Sequence, residues 1–213
     1  MTLRPKALDL FCGAGGASMG LYRAGFDVTG VDIEPKPEYP FAFIQADALA
    51  FDLTGFDFIW ASPPCQAFTA YKRRGGHVRP RPNLIPDVRE RLLASGAAWV
   101  IENVAGAPLD NPIMLCGSMF GLDVRRHRFF EASYPIAQPT CNHAAQTPRF
   151  PPATNRSNLR STVEVGVWRI PLEVQRRAMG IDWMTLKNLS QAIPPAYAEY
   201  IGRAALRVLE MTA

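Results

Sequence analysis

Short apolar runs broken by turn residues dominate the first half of the chain. Residues 7–11 are apolar apart from Asp9 and lead into a glycine cluster, Gly13-Ala14-Gly15-Gly16. Residues 18–24 place Met19, Leu21 and Tyr22 at helical spacing before Gly25, which predicts a helix closed by a glycine. Residues 26–31 read as a strand ending at Asp32, and further strands are predicted at 41–44, 56–61 and 98–101. A helix is predicted over 86–94, with Pro86 in the first turn, where a missing N–H costs little. Strands alternating with helices imply an α/β fold with a mostly parallel sheet.

The second half changes character. Residues 135–161 are rich in Pro, Thr, Asn, Gln and Arg and show little periodicity, which predicts a long loop or a minimal subdomain. Residues 171–179 read as a helix. A last helix starts near Pro195, with Tyr197, Ile201, Ala204 and Val208 on one face.

Composition then bounds the class. The chain has 213 residues and 23.5 kDa, 48% apolar and 20% charged, which suits one ordered domain with at most a small appendage. No run approaches the roughly 18 apolar residues of a membrane span. The start runs straight into a strand without room for a signal peptide, so a cytoplasmic protein is expected. The four cysteines (Cys12, Cys65, Cys116, Cys141) lie far apart, which argues against a disulfide framework. Cys141-Asn142-His143 is the one metal-like pair in the sequence. Two ligands do not make a zinc site, so no metal is expected.

Four stretches carry candidate chemistry. The glycine turn after the first strand suits an anion at a helix N-terminus, and Asp32, 19 residues after Gly13, suits ribose hydroxyls. The spacing is GxGG, not the GxGxxG of nicotinamide-binding proteins. It reads as a site for an adenosine-containing cofactor or as a purely structural turn. Asp47 reads equally as an adenine contact or a solvated loop acid. Ser62-Pro63-Pro64-Cys65-Gln66 follows the 56–61 strand, where open α/β sheets place ligands, so Cys65 is a candidate nucleophile or a buried free thiol. Glu102 ends an apolar strand, where a carboxylate is costly unless partnered or functional; alternatively it emerges into solvent. Arg125-Arg126-His127-Arg128-Phe129-Phe130, if a strand, sets Arg126 and Arg128 on one face; alternatively it is a solvated basic edge.

In order, these stretches resemble the cytosine-5 DNA methyltransferase family across most of the chain. Asp9-Leu10-Phe11-Cys12-Gly13-Ala14-Gly15-Gly16 is similar to its cofactor loop, and Asp32 and Asp47 to its ribose and adenine contacts, with Ile33 against the adenine ring. Pro64-Cys65-Gln66 resembles its catalytic loop, Glu102-Asn103-Val104 its base-recognising carboxylate, and Arg126 and Arg128 its paired arginines. Gln191-Ala192-Ile193-Pro194-Pro195 resembles the segment opening its final helix. Three positions depart from the pattern: Val124 stands where Gln is usual, Gln191 where Asn is, and Ser190 where Gly is.

The resemblance implies a Rossmann-like class I S-adenosylmethionine-dependent methyltransferase fold, with a mostly parallel sheet flanked by helices. Residues 1–134 would form the cofactor-binding and catalytic domain, 135–168 a reduced target-recognition segment, and 169–213 a helical part packing back on the first. Cofactor contacts would come from Phe11, Gly13, Ala14, Gly15, Gly16, Asp32, Ile33, Asp47, Pro64 and Gln191. Cys65 would add to C6 of a flipped cytosine, Glu102 would hold N3 and the exocyclic amine, and Arg128, supported by Arg126, would hold O2. Only about 60 residues separate Arg128 from Gln191, which implies a recognition sequence of roughly one to three base pairs. Arg149, Arg156, Asn158 and Arg160 are its candidate readers or phosphate contacts, and the compact length resembles a phage enzyme. Double-stranded DNA is the expected partner, with a monomer and no obligate protein partner. An RNA or free-nucleotide cytosine-5 methyltransferase, or an inactive DNA-binding relative, are the alternatives.

Charge sharpens the picture. The net charge is only +4, but residues 72–91 hold seven basic residues (Lys72, Arg73, Arg74, Arg79, Arg81, Arg89, Arg91) against Asp87 and Glu90, a net +5. The rest of the chain carries 16 basic against 17 acidic residues, a net −1. Gln66 and the cations Lys72, Arg73, Arg74, Arg79 and Arg81 directly follow Cys65, as a phosphate-gripping loop would.

Overall fold

A computed structural model describes residues 4–68, 82–146 and 162–212. A seven-stranded sheet in the order β3-β2-β1-β4-β5-β7-β6 organises them. Strands β1 (Lys6–Leu10), β2 (Asp27–Asp32), β3 (Ala42–Gln45), β4 (Phe58–Ala61) and β5 (Ala98–Asn103) run parallel. β7 (Arg128–Ala132) is antiparallel to β5, and β6 (Ile113–Leu115) is antiparallel to β7. β1 and β4 are buried on both faces, apart from Lys6 at the start of β1, as central strands of a covered parallel sheet must be.

Helices α1 (Gly16–Ala24) and α5 (Pro195–Thr212) cover one face. Phe26, Phe58, Trp60, Phe130, Tyr197 and Ile201 form the core between them and the sheet. Helix α2 (Ile85–Ser95) covers the other face through Val88 and Leu92, against Leu8, Leu10, Ile59 and Ile101. Its Pro86 stands in the first turn, as expected. Two shorter helices, α3 (Leu172–Met179) and α4 (Leu186–Gln191), build a satellite cluster with Ala14 and Val124. No helix among the described residues is long and apolar enough to cross a membrane.

The pattern places most elements within two residues, with three differences. β6, three residues long, and α4, six residues long, are too short to leave a periodic signal. Arg126 is not in the strand: β7 starts at Arg128, and Arg126 stands before it at φ 38°. The two arginines therefore do not share a strand face. The basic run is also divided. Arg89 makes a two-point ion pair with buried Glu131, at 2.7 Å through Nε and 2.7 Å through Nη2. Arg91 donates to the backbone carbonyls of Leu49 and Phe51. Both hold α2 in place. The remaining five cations of the run lie outside the described residues.

Helix α5 docks on α1 at glycine. A Cβ at Gly20 would meet the Pro195 carbonyl, the Ala198 side chain at 2.7 Å and the Glu199 nitrogen at 2.7 Å. An exposed helical Gly→Ala change gains roughly 0.5–1 kcal/mol. Here overpacking reverses the sign: Gly20→Ala should lose about 1–3 kcal/mol in urea denaturation, because backbone, not a yielding side chain, blocks the methyl.

Candidate active site

Five parallel strands deliver their following loops to one edge of the sheet. After β1 the chain turns sharply: Phe11, Gly13 and Gly15 all have positive φ (59°, 52° and 85°). The Gly13 N–H donates to the Asp32 carboxylate at 3.0 Å, and Lys36 pairs with the same carboxylate at 3.3 Å. Asp32 thus anchors the glycine loop while standing at the end of β2. Ile33 beside it is 68% exposed, an apolar surface at the sheet's carboxyl edge. A Cβ at Gly13 would meet nothing within 4 Å, so the loop leaves open space above it. Ala14 and Gly15 are buried, and Gly16 lies so close to the Ile193 carbonyl that only glycine fits. Exposed Asp47, after β3, accepts the Leu49 N–H at 2.9 Å. Open space, an exposed apolar side chain and an anchored acid fit an adenosine-bearing cofactor.

Behind the loop, buried Asp9 accepts the Ser18 hydroxyl, which also lies 2.7 Å from the Tyr39 hydroxyl. Burial pushes the Asp9 carboxyl up to about 7, against the pull of the Ser18 hydrogen bonds. Trp183 Nε1 donates to the Ala14 carbonyl at 2.8 Å and ties the segment between α3 and α4 to the glycine loop.

After β4, Pro64 leads into a single 3-10 turn, Cys65–Ala67. Cys65 is half-buried, while Gln66 is exposed. Asn103, at the end of β5, donates to the Pro63 carbonyl at 2.9 Å and pins this turn to the neighbouring strand. Burial and the Glu102 charge push the Cys65 thiol up; Arg128 and Arg126 pull it down.

Glu102 is 6% exposed and pairs with Arg128 Nε at 3.2 Å. Burial raises its carboxyl above the usual range, opposed by Arg128, a Ser62 hydrogen bond and Arg126. Arg126 donates to the Ala192 carbonyl at 2.8 Å and the Ser190 carbonyl at 2.7 Å. Desolvation, then the Arg128 charge, brings its guanidinium down to about 9, still protonated at neutral pH. The Tyr197 hydroxyl of α5 donates to the Arg125 and Arg126 carbonyls at 3.1 and 3.0 Å, supporting the positive φ of Arg126. An open pocket of about 430 Å³ is lined by Arg126 and Arg128 together with Thr162, Glu164 and Val165.

The structure therefore brings Cys65, Glu102, Arg126 and Arg128 to one edge. Gln191 ends α4 and is exposed, so it precedes an extended link, 192–194, before the final helix. Lys72, Arg73, Arg74, Arg79, Arg81, Arg149, Arg156, Asn158 and Arg160 lie outside the described residues. Tyr197 is a positioning residue that the helical pattern marks only as core, and Trp183 is one that no motif in the sequence singles out. The fold brings Cys116 and His127 beside Cys141 and His143, a juxtaposition that the sequence spacing does not reveal.

Sheet order and loop placement define the class I S-adenosylmethionine-dependent methyltransferase fold. A sequence profile for the C-5 cytosine-specific DNA methylase family matches residues 5–109. Type II methyltransferase M.HgiGI of Herpetosiphon aurantiacus is 34% identical over 119 residues, which cover 49% of this chain and 94% of that protein. M.HgiDI from the same organism is 34% identical over 131 residues, 54% of this chain but only 42% of its own length. Entamoeba histolytica methyltransferase EhMeth superposes with a TM-score of 0.61 at 12% identity, covering 98% of this chain and 99% of that one. Schizosaccharomyces pombe Dnmt2 gives 0.60 at 14%, covering 97% and 99%. At these identities the structures share the fold. The chain belongs to the C-5 cytosine-specific DNA methylase family.

The opposed charges around Cys65 make its reactivity tunable in both directions. Glu102→Gln removes a charge that raises the thiol pKa, so the thiolate fraction grows; Arg128→Ala does the reverse. Alkylation of Cys65 by iodoacetamide at mildly alkaline pH, read by peptide mass spectrometry, should speed up in the first variant and slow in the second. The change is about threefold per pKa unit, because thiolate nucleophilicity falls as pKa falls. Equal rates in all three proteins would contradict the electrostatic coupling.

Proposed function

We propose that this chain is a DNA (cytosine-5-)-methyltransferase that acts through a covalent Cys65–C6 intermediate. The observation that carries the reading is the meeting of a half-buried thiol with the Glu102–Arg128 pair at the carboxyl edge of the sheet.

Cytosine C5 is a weak nucleophile. Addition of the Cys65 thiolate to C6 converts the ring to an enamine and makes C5 nucleophilic. Glu102, its carboxyl raised by burial, is suited to hold a proton toward N3 while accepting from the exocyclic amine. That arrangement also removes the negative charge that opposes the thiolate. Arg128 then stabilises charge at O2 and the sulfur together. Arg126 acts through the backbone: it holds the Ser190–Ala192 segment against the site. Gly13, Gly15, Asp32, Ile33 and Asp47, with Phe11, Ala14, Gly16, Pro64 and Gln191 around them, form the cradle for S-adenosylmethionine, which supplies an electrophilic methyl group when bound. After methyl transfer, loss of the C5 proton and expulsion of Cys65 regenerate the enzyme. The target must leave the stack to reach Cys65.

Residues 1–134 act as the catalytic domain, 135–168 as a reduced recognition segment and 169–213 as a helical brace. Cations at 72–81, with Arg149, Arg156 and Arg160, contact DNA phosphates or bases, and a recognition sequence of roughly one to three base pairs follows from so few readers. We take the enzyme to act as a monomer in the cytoplasm.

Bisulfite sequencing of plasmid from an expressing host tests activity, substrate and specificity together. Methylcytosine is expected in one short sequence context. Cys65→Ala should lower turnover by at least about a thousandfold while S-adenosylmethionine still binds. Unmodified cytosines in every context, with methyl transfer to tRNA or dCMP instead, would overturn the substrate; methylation surviving Cys65→Ala would overturn the mechanism.

A further inference from the structure

Four metal-ligating side chains converge outside the residues used above. One ligand atom from each of Cys116, His127, Cys141 and His143 lies within 4.8 Å of the others. Cys116 Sγ stands 3.3 Å from His143 Nε2, and Cys141 Sγ stands 3.6 Å from His127 Nε2. The two imidazoles stack with centroids 5.4 Å apart. Zn–S bonds of about 2.3 Å and Zn–N bonds of about 2.0–2.1 Å at tetrahedral angles give a sulfur-to-nitrogen edge of about 3.5 Å. Both observed edges fall beside that value. All four thiols of the chain are free, so Cys116 and Cys141 are not joined to each other.

The fold assembles the four from three places. The β6–β7 ladder ends on the pair Leu115↔Arg128, so Cys116 and His127 face each other one step beyond it. Cys141 and His143 arrive on the returning segment. Ser118 Oγ accepts the Asn142 N–H at 3.1 Å, and Asn142 caps the 3-10 turn His143–Ala145, accepting the Ala145 N–H at 3.2 Å. Cys116 is buried and the other three are reachable from the surface.

We propose that Cys116, His127, Cys141 and His143 form a structural zinc site. Two thiolates and two imidazoles in a tetrahedral arrangement select Zn(II) among common divalent metals, and four protein ligands leave no position for a reacting water. Each thiol loses its proton to solvent on binding, so the thiolate charges neutralise the metal. The site staples the turn carrying Arg126 and Arg128 to the segment that leads into residues 147–161. His127 lies between the two arginines, so the metal would fix their backbone in addition to the Tyr197 hydrogen bonds. This assignment stands whether or not the chain methylates DNA.

The test is metal retention by the full chain, purified under reductant, loaded with Zn(II) and passed through gel filtration. Elemental analysis should find about one zinc per chain. Cys141→Ser and His143→Ala should each lose most of it at a free zinc concentration that saturates the unmutated protein. Cobalt substitution of the unmutated protein supplies a measurement that needs no variant. Intense tetrahedral d–d bands with thiolate-to-cobalt charge transfer are expected. No retained zinc, retention by both variants equal to that of the unmutated protein, or weak octahedral cobalt bands would overturn the assignment.

Discussion

Strands β1 to β5 all point their carboxyl ends one way, and β7 alone reaches the site by its amino end. It pairs antiparallel to β5, with Glu102 opposite Phe130 and Asn103 opposite Phe129. Its first residue, Arg128, therefore lies where β5 ends. A parallel strand in the same position would carry Arg128 to the far edge, about 15 Å away over five residues. The Glu102–Arg128 pair at 3.2 Å depends on that reversal. So does the pairing with β6 that places Cys116 beside His127.

The pair explains how an apolar strand can end in a buried carboxylate. Removing one partner of such a pair leaves an uncompensated charge, typically at a cost of about 3–5 kcal/mol. The site holds this tension close to Cys65, whose thiol feels one carboxylate and two guanidiniums. In the proposed mechanism, a base bound at Glu102 would shift the balance toward the arginines and hence toward thiolate. Arg126 is held differently. Its guanidinium binds two carbonyls beyond α4, and its own carbonyl is held by Tyr197, so α5 and the arginine turn brace each other.

Much of this was legible in the sequence because the signals were local. The glycine loop and the Pro64-Cys65-Gln66 turn follow their strands directly, while Asp32 and Glu102 lie at the carboxyl ends of theirs, and in a parallel sheet that placement determines which edge they reach. What was hidden depends on pairing across the chain. The sequence around Arg126 and Arg128 looks like a strand, yet a positive φ separates them, and only Tyr197 and the Ser190–Ala192 carbonyls explain why. Arg89 and Arg91 belong to the basic run by position, but Glu131 and two backbone carbonyls claim them. Cys141 and His143 stand alone in the sequence because Cys116 and His127, the side chains they meet, are distant along the chain and are brought together by the β6–β7 register.

In the proposed mechanism Cys65 forms a bond to C6 of cytosine with Glu102 and Arg128 in support. Trapping on duplex DNA containing 5-fluorocytosine, with S-adenosylmethionine present, tests it most directly. Fluorine at C5 blocks the final elimination, so the protein should remain attached through Cys65 as a complex that survives denaturation and maps by mass spectrometry to the peptide carrying that residue. Bound DNA that is released intact by denaturant, or an adduct that persists in Cys65→Ser, would contradict it.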